Sequence, residues 1–410
     1  MKPTSEKIIL IALVVIFLFT SNVQAKLSDS VNNFSWKYFQ TLNRQENIFY
    51  SPYSLTAALA IVANGATEKT QQEILTALSV NSVESLNEDF KSFHDMMKIN
   101  YTGDRILKES NLMLVNKNFI GNGINKNFQS VAKNFYQSEI DSADFENNLN
   151  GEKKKISDWV AKSTDNFIQN YKAAPTSETV VDLLNVIYFK GKWQTPFQPN
   201  KTHKNFFTNF DGTKVKTEMM SETFNESIVY FEDEKYKAVE LPYEAFENKK
   251  IVSMYLVLPK NKTDLNIAES WNAETFDYRN DFFGAIKNSF VFDGKVFVQI
   301  PKVTMDIKNN VVKNFKAMGI KRAFTNDAEF FNIVEGTSLK IDNATHQAKV
   351  EIDEQGTRAA AVTEITMLET TALPPQFRKY AEFVADRPFL FVIRDVETET
   401  DLFVGVVNRF

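Results

Sequence analysis

Five stretches of this chain, Val180 to Phe189, Ile251 to Leu258, Val296 to Ile300, Phe389 to Ile393 and Leu402 to Val407, are dominated by β-branched, leucine and aromatic residues. A strand with one wet face alternates apolar and polar side chains, whereas a strand covered on both faces does not need to. These runs are too apolar for sheet edges, so they are expected in the interior of large sheets. Helical patterns lie between them. After Ser51-Pro52, residues Leu55, Ala58, Leu59 and Val62 fall on one helical face, with Pro52 suited to the first turn and Gly65 to the end. Thr70 to Glu73 has the spacing of a capping box ahead of Ile74-Leu75. Ile156, Trp159, Val160 and Phe167 suggest a further helix. Strands and helices do not alternate strictly, so the fold class is α+β.

The N-terminus is expected to be processed. Lys2 and Lys7 precede an apolar run from Ile8 to Phe19, and Val23-Gln24-Ala25 places small residues at a signal-peptidase spacing. Residues 1–25 therefore read as a signal peptide, and 26–410 as one secreted, extracellular domain with no Pro/Gly/Ser-rich linker dividing it. The apolar run is too short to cross a hydrocarbon core of roughly 30 Å, so no membrane partner is expected. The net charge of −5 argues against a nucleic-acid partner. Lys153-Lys154-Lys155 is the one basic cluster considered for a polyanion such as a glycosaminoglycan, against the plainer reading of a solvated face.

The chain has no cysteine, which excludes disulfides, thiolate metal sites and a thiol nucleophile. Stability must come from the core. Glycosylation sequons at Asn33, Asn100, Asn200, Asn225 and Asn261 suit an exported glycoprotein, and a sixth at Asn343 sits beside a strand pattern that would resist a sugar. His94, His203 and His346 are the only histidines, and HExxH, GxSxG and GxxxxGK[ST] arrangements are missing. Enzymatic chemistry, cofactor binding and metal binding are therefore not expected, although carboxylate-only catalysis is harder to exclude by residue type.

One segment has an unusual pattern. From Gly356 the chain reads Thr357-Arg358-Ala359-Ala360-Ala361-Val362, and Thr357, Ala359, Ala361, Thr363, Ile365 and Met367 form a small or apolar alternate set. The intervening set includes Arg358, Glu364 and Thr366. Period-two patterning suits a strand with one buried face, yet glycine and alanine are weak strand formers. The segment looks built to enter a sheet rather than to begin in one. An ordinary surface strand or an alanine-rich helical turn is the blander reading.

Residues along nearly all of 26–410 resemble the serpins. The opening Asn47-Ile48-Phe49-Tyr50-Ser51-Pro52-Tyr53-Ser54 and the stretch Asn185-Val186-Ile187-Tyr188-Phe189-Lys190-Gly191-Lys192-Trp193 resemble family signatures. Glu240-Leu241-Pro242-Tyr243, Met254 to Pro259, Ile300-Pro301-Lys302, Met318 to Phe324, Asp386 to Phe391 and Leu402 to Gly405 follow in family order. The resemblance implies the serpin fold, three β-sheets with about nine helices and an exposed reactive-centre loop.

It also implies a function. A target serine protease attacks the loop, here 354–379, as a substrate and forms an acyl-enzyme. The freed loop then inserts into the main sheet and drags the protease into a distorted, covalent complex. The hinge comprises Glu354, Gly356, Thr357, Arg358, Ala359, Ala360, Ala361 and Val362. Arg358 departs from the acidic residue common at its place, but alternation puts it on the hydrated face. The family's usual spacing from Gly356 sets the reactive bond at Thr370-Thr371. A count from the C-terminal side points later, so Leu368, Leu373, Arg378 and Lys379 are alternatives. Ser51, Ser54, Asn185 and His346 match a shutter network beneath the central strands. The expected partner is a serine protease trapped by a monomeric inhibitor, and the rival is a non-inhibitory carrier, storage protein or chaperone. Proline-containing or bulky hinges mark such members, whereas the first prolines here are Pro374 and Pro375.

Overall fold

The computed structural model describes residues 27–43, 45–103, 105–225, 228–247, 249–263, 265, 283, 292–357 and 379–410. The expected signal peptide and residues 358–378 lie outside them.

Helix α1 spans 27–39. It is followed by β1 (Ile48–Tyr50), α2 (Pro52–Gly65), α3 (Glu68–Leu78), α4 (Val83–Asn100), β2 (Ile106–Asn116), α5 (Lys126–Tyr136), β3 (Glu139–Ala143) and α6 (Leu149–Ser163). The middle of the chain forms β4 (Val181–Lys192), β5 (His203–Thr208), β6 (Lys214–Asn225), β7 (Tyr230–Glu232), β8 (Tyr236–Pro242) and β9 (Val252–Pro259). The last part forms β10 (Gly294–Pro301), β11 (Val303–Asn310), α7 (Val312–Ala317), β12 (Ile341–Ile352), β13 (Gly356–Thr357), β14 (Lys379–Val384), β15 (Phe389–Asp395) and β16 (Thr400–Val407).

These strands make three sheets. The main sheet runs β11-β12-β13-β4-β2-β3, a second runs β1-β16-β15-β9-β8-β7, and a third runs β14-β10-β6-β5. All five apolar runs lie in interior strands (β4, β9, β10, β15 and β16), as a strand buried on both faces requires. Seven α-helices lie among the described residues, against about nine expected.

Two helix boundaries differ from the sequence reading. α3 begins at Glu68, with Thr67 as its N-cap. Thr70 is therefore inside the helix, and its hydroxyl and backbone N–H bond Glu329 rather than closing a capping box. α6 ends at Ser163, so Phe167 lies beyond it and is not on its apolar face. α2 behaves as expected: Pro52 is in its first turn and the Ser51 side chain caps it by accepting from the Ser54 N–H at 3.1 Å.

The main sheet separates two apolar layers. On one face Leu112, Leu114, Leu184 and Val186 pack with Ile156 and Val160 of α6. The other face belongs to the large core shared with α2 and the second sheet. Strand β4 thus has a face under α6 and a face over α2, and every polar group on it must be satisfied locally.

Candidate functional site

The central feature is a seam between β4 and β12. These strands pair directly and in parallel from Val181 with Ile341 to Tyr188 with Lys349. Beyond Tyr188 they diverge, and the two residues of β13 lie between them. Gly356 pairs with Lys192, and Thr357 with Gly191 on one side and Ile352 on the other, antiparallel to both neighbours.

A tight turn delivers β13. The Asp353 side chain accepts from the backbone N–H groups of Gln355 at 2.8 Å and Gly356 at 3.2 Å, while the Asp353 N–H donates to the Gly356 carbonyl at 2.9 Å. Gly356 has φ +154°, and a Cβ there would sit 2.1 Å from the Gly191 carbonyl oxygen. Only glycine passes the β4 backbone at that point. Thr357 is fully buried, with its hydroxyl 2.6 Å from the Tyr243 hydroxyl. The Tyr243 ring stacks on Trp193 at 4.6 Å, and the Trp193 indole N–H donates to the Asp353 carbonyl at 3.0 Å. Glu354 accepts from the Thr202 hydroxyl at 2.8 Å and pairs with Lys302 at 2.9 Å. Glu354, Gly356 and Thr357 were expected to start an exposed loop. They are instead anchored and buried, because the turn and the Thr357 hydroxyl draw them into the sheet.

The middle of the seam holds the polar network. The Ser51 N–H donates to His346 Nε2 at 3.1 Å, so the imidazole proton is on Nδ1, which donates to Asn185 Oδ1 at 2.5 Å. The Asn185 amide nitrogen donates to Ser54 Oγ at 2.6 Å, the Ser54 carbonyl at 3.0 Å and Asn111 Oδ1 at 2.6 Å. Burial pushes the His346 imidazole down to about 3, which keeps it neutral. Ser51, Ser54, Asn185 and His346 therefore lie in one hydrogen-bonded network.

Sequence reasoning missed Asn111 and Glu109. Asn111 lies directly opposite Asn185 on β2, and its amide nitrogen donates to Glu109 Oε1 at 2.8 Å. The consecutive polar residues Lys108-Glu109-Ser110-Asn111 inside the otherwise apolar β2 were the available signal.

The lower end of the seam differs. Asp182 on β4 is 1% exposed, and neither carboxylate oxygen has a hydrogen-bond partner among the described residues. It faces the α6 side of the sheet, the side opposite Asn185. Burial pushes its carboxyl up to about 7, against the pull of Lys308. The Lys308 ammonium itself lies 4.0 Å from the centre of the Tyr171 ring.

Comparison with known proteins accounts for this architecture. The family described as serpin (serine protease inhibitor) matches residues 29–409. The chain belongs to the serpin family. An uncharacterized serpin-like protein of Methanosarcina acetivorans is 34% identical over 381 residues, covering 90% of this chain and 83% of that protein. The native structure of the thermophilic serpin tengpin superposes with a TM-score of 0.79 at 26% identity, covering 93% of each chain. Human thyroxine-binding globulin superposes with a TM-score of 0.78 at 25% identity, covering 95% of this chain and 99% of that one.

The remaining expected sites of this serpin are dispersed. Arg358 to Val362, Leu368, Thr370, Thr371, Leu373 and Arg378 lie outside the described residues, and Lys379 opens β14, paired with Gly294. Asn200, Asn225 and Asn261 are exposed. Asn100 is a correction to the sequon reading: it is buried, and its amide nitrogen donates to Glu397 at 2.8 Å, so the folded chain does not present it to a glycan. Asn33 is half-buried within α1, and Asn343 lies in β12 opposite Asp182. In the lysine cluster, Lys154 pairs with Asp158 at 2.6 Å and Lys155 with Glu152 at 2.9 Å, so much of its charge is balanced on its own helix. The histidines do not converge. His94 receives the Tyr53 hydroxyl at 2.9 Å, His203 is exposed beside the Lys201 carbonyl, and His346 belongs to the seam.

Proposed function

We propose that this serpin is a secreted inhibitor of serine endopeptidases that acts as a suicide substrate. The observation that carries the reading is the two-residue strand β13 already lodged between β4 and β12, directly above a seam that continues to Val181. A protease serine oxygen attacks the scissile carbonyl, the new loop amine departs, and an acyl-enzyme ester remains. Extension of β13 down the seam then carries the esterified protease across the molecule before water hydrolyses the ester. The small side chains of Ala359 and Ala361 suit the buried face, and the reactive bond is assigned to Thr370-Thr371 by spacing. The tripartite N-terminus supports export, and the exposed sequon residues Asn200, Asn225 and Asn261 suit it.

A rival reading has an observation behind it: thyroxine-binding globulin has this fold and forms a complex with thyroxine. Proline-free residues 356–373 favour inhibition over a carrier role.

The test incubates the mature chain with trypsin-, chymotrypsin- and elastase-like proteases, followed by denaturing gels and mass spectrometry. A covalent adduct ending at Thr370 is expected. Cleavage without an adduct by every protease, with no gain in thermal stability, would remove the inhibitory reading. Thr357→Arg supplies the control, because a buried guanidinium beside Tyr243 opposes insertion. It should be cleaved without trapping.

A further inference from the structure

Apart from the seam, a cavity of about 440 Å³ opens where the C-terminal end of α2 and one side of α3 meet the N-terminal ends of α4 and α5. We propose that this cavity is a binding site for a neutral saccharide, whose hydroxyls pair with a ring of side-chain amides. The site stands independently of the inhibitory reading.

The amides are fixed by the scaffold, and several keep unused hydrogen-bonding capacity. Asn64 on α2 and Asn87 on α4 bond each other reciprocally at 2.8 and 3.0 Å, which locks the wall between the two helices. Gln71 gives its amide nitrogen to the carbonyls of Ala63 and Ala66 at 3.1 and 3.0 Å. Asn332 gives its own to the carbonyls of Asn64 and Ala66 at 3.2 and 3.3 Å. Both side chains thus satisfy carbonyls at the end of α2, and their amide oxygens have no partner among the described residues. Across the cavity the Asn125 side-chain oxygen caps α5 by accepting from the Asn127 and Phe128 N–H groups at 2.8 and 3.4 Å, which leaves its amide nitrogen as a donor. Asn81 and Asn127 also line the cavity, and their side chains make no hydrogen bond among the described residues.

The chemistry of the lining selects the ligand. Among the described residues around the cavity Glu84 alone is ionisable, so no cation is at hand to balance a sulfate or phosphate, and one carboxylate is little charge for a divalent cation. A purely apolar ligand would cover amides without pairing them, which costs free energy for each group left unsatisfied. A sugar hydroxyl both donates and accepts, and an amide offers one group of each kind. Leu75, Val83, Phe128 and Val131 supply the apolar part of the lining, suited to the C–H face of a sugar ring. The volume lies within the range of about 300–1,000 Å³ found for small-molecule sites, with room for a mono- or disaccharide.

The test titrates the mature chain with glucose, galactose, mannose, N-acetylglucosamine and maltose by saturation-transfer NMR, with inorganic phosphate and Ca²⁺ as separate probes. At least one sugar should bind with a dissociation constant on the order of 1 mM. Asn127→Ala should weaken that binding about tenfold, the loss of one hydrogen bond, and Asn81→Ala added to it should remove binding. Both residues are exposed, so the thermal midpoint without sugar should not move. Asn122→Ala, exposed but outside the lining, should bind as the parent does. Absence of binding by every sugar, equal binding by the parent and the double variant, or binding of phosphate or Ca²⁺ in preference to sugar would overturn the proposal. The methyl glycoside of the bound sugar separates the two sources of this chemistry: retained binding assigns the site to the end of a glycan, and lost binding to a free sugar.

Discussion

Asn185 and Asp182 stand three residues apart on β4, both almost wholly buried, and their surroundings are opposites. Asn185 faces α2 and is bonded to Ser54, Asn111 and His346, so each burial cost there is offset by a partner. Asp182 faces α6 and has no hydrogen-bond donor among the described residues. The first region holds β4 and β12 together. The second weakens the same joint whenever Asp182 ionises. The lock and the weakness of this joint lie on the same strand, on different faces.

Breaking the lock should have the largest effect. Asn185→Ala orphans the His346 Nδ1–H and the Asn111 carbonyl oxygen, at about 4 kcal/mol for two buried unpaired groups, seen as a lower urea midpoint. An unchanged midpoint would mean that the network does not hold the seam. Removing the weakness should act the other way. The folded Asp182 carboxyl titrates near 7 against 3.8 for an ordinary aspartate, so it costs stability as pH rises between those values and keeps costing above them. Asp182→Asn should stabilise by about 2 kcal/mol at pH 8, with most of that gain gone at pH 4.5. Equal gains at both pH values would show that charge is not the cause.

The two regions should also oppose each other in pH dependence. His346 stays neutral down to about 3, below the ordinary 6.5, so its contribution is intact above 6.5 and is lost as pH falls below it. In the parent the two slopes nearly cancel between pH 6.5 and 5.5. Asp182→Asn should unmask a loss of about 1 kcal/mol over that unit, measured by denaturant unfolding at each pH, and a flat profile in the variant would contradict the assignment to His346. The smallest effect belongs to exposed charge. Lys154→Ala removes a pair with Asp158 that is largely in solvent and should change stability by less than about 0.5 kcal/mol, which a urea titration would check.

The interior strands were legible because burial on both faces writes itself into β4, β9, β10, β15 and β16 as uninterrupted apolar runs. The period of two read from Thr357 runs into residues outside the described ones, whereas the network of Ser51, Ser54, Asn185 and His346 was legible by resemblance. Asn111, Glu109 and Asp182 were not, since a polar residue inside a strand does not announce which face it takes or who waits there. Thr70 misled because its hydroxyl found Glu329, a partner 259 residues away. Asn100 misled because a sequon records only local residues, whereas its nitrogen is held by Glu397.

The lodged strand β13 also bears on timing. In most associations the slow part is the search that brings two ends together and the entropy lost in closing the intervening loop. Gly356 and Thr357 are already paired between β4 and β12, so under the proposed trapping mechanism insertion would resemble the closing of a zipper whose first teeth are engaged. Its rate would then be governed by how readily β4 and β12 part below Tyr188. Under that mechanism the contest with hydrolysis of the ester would be decided in the body of the molecule, at a distance from the bond that is cut.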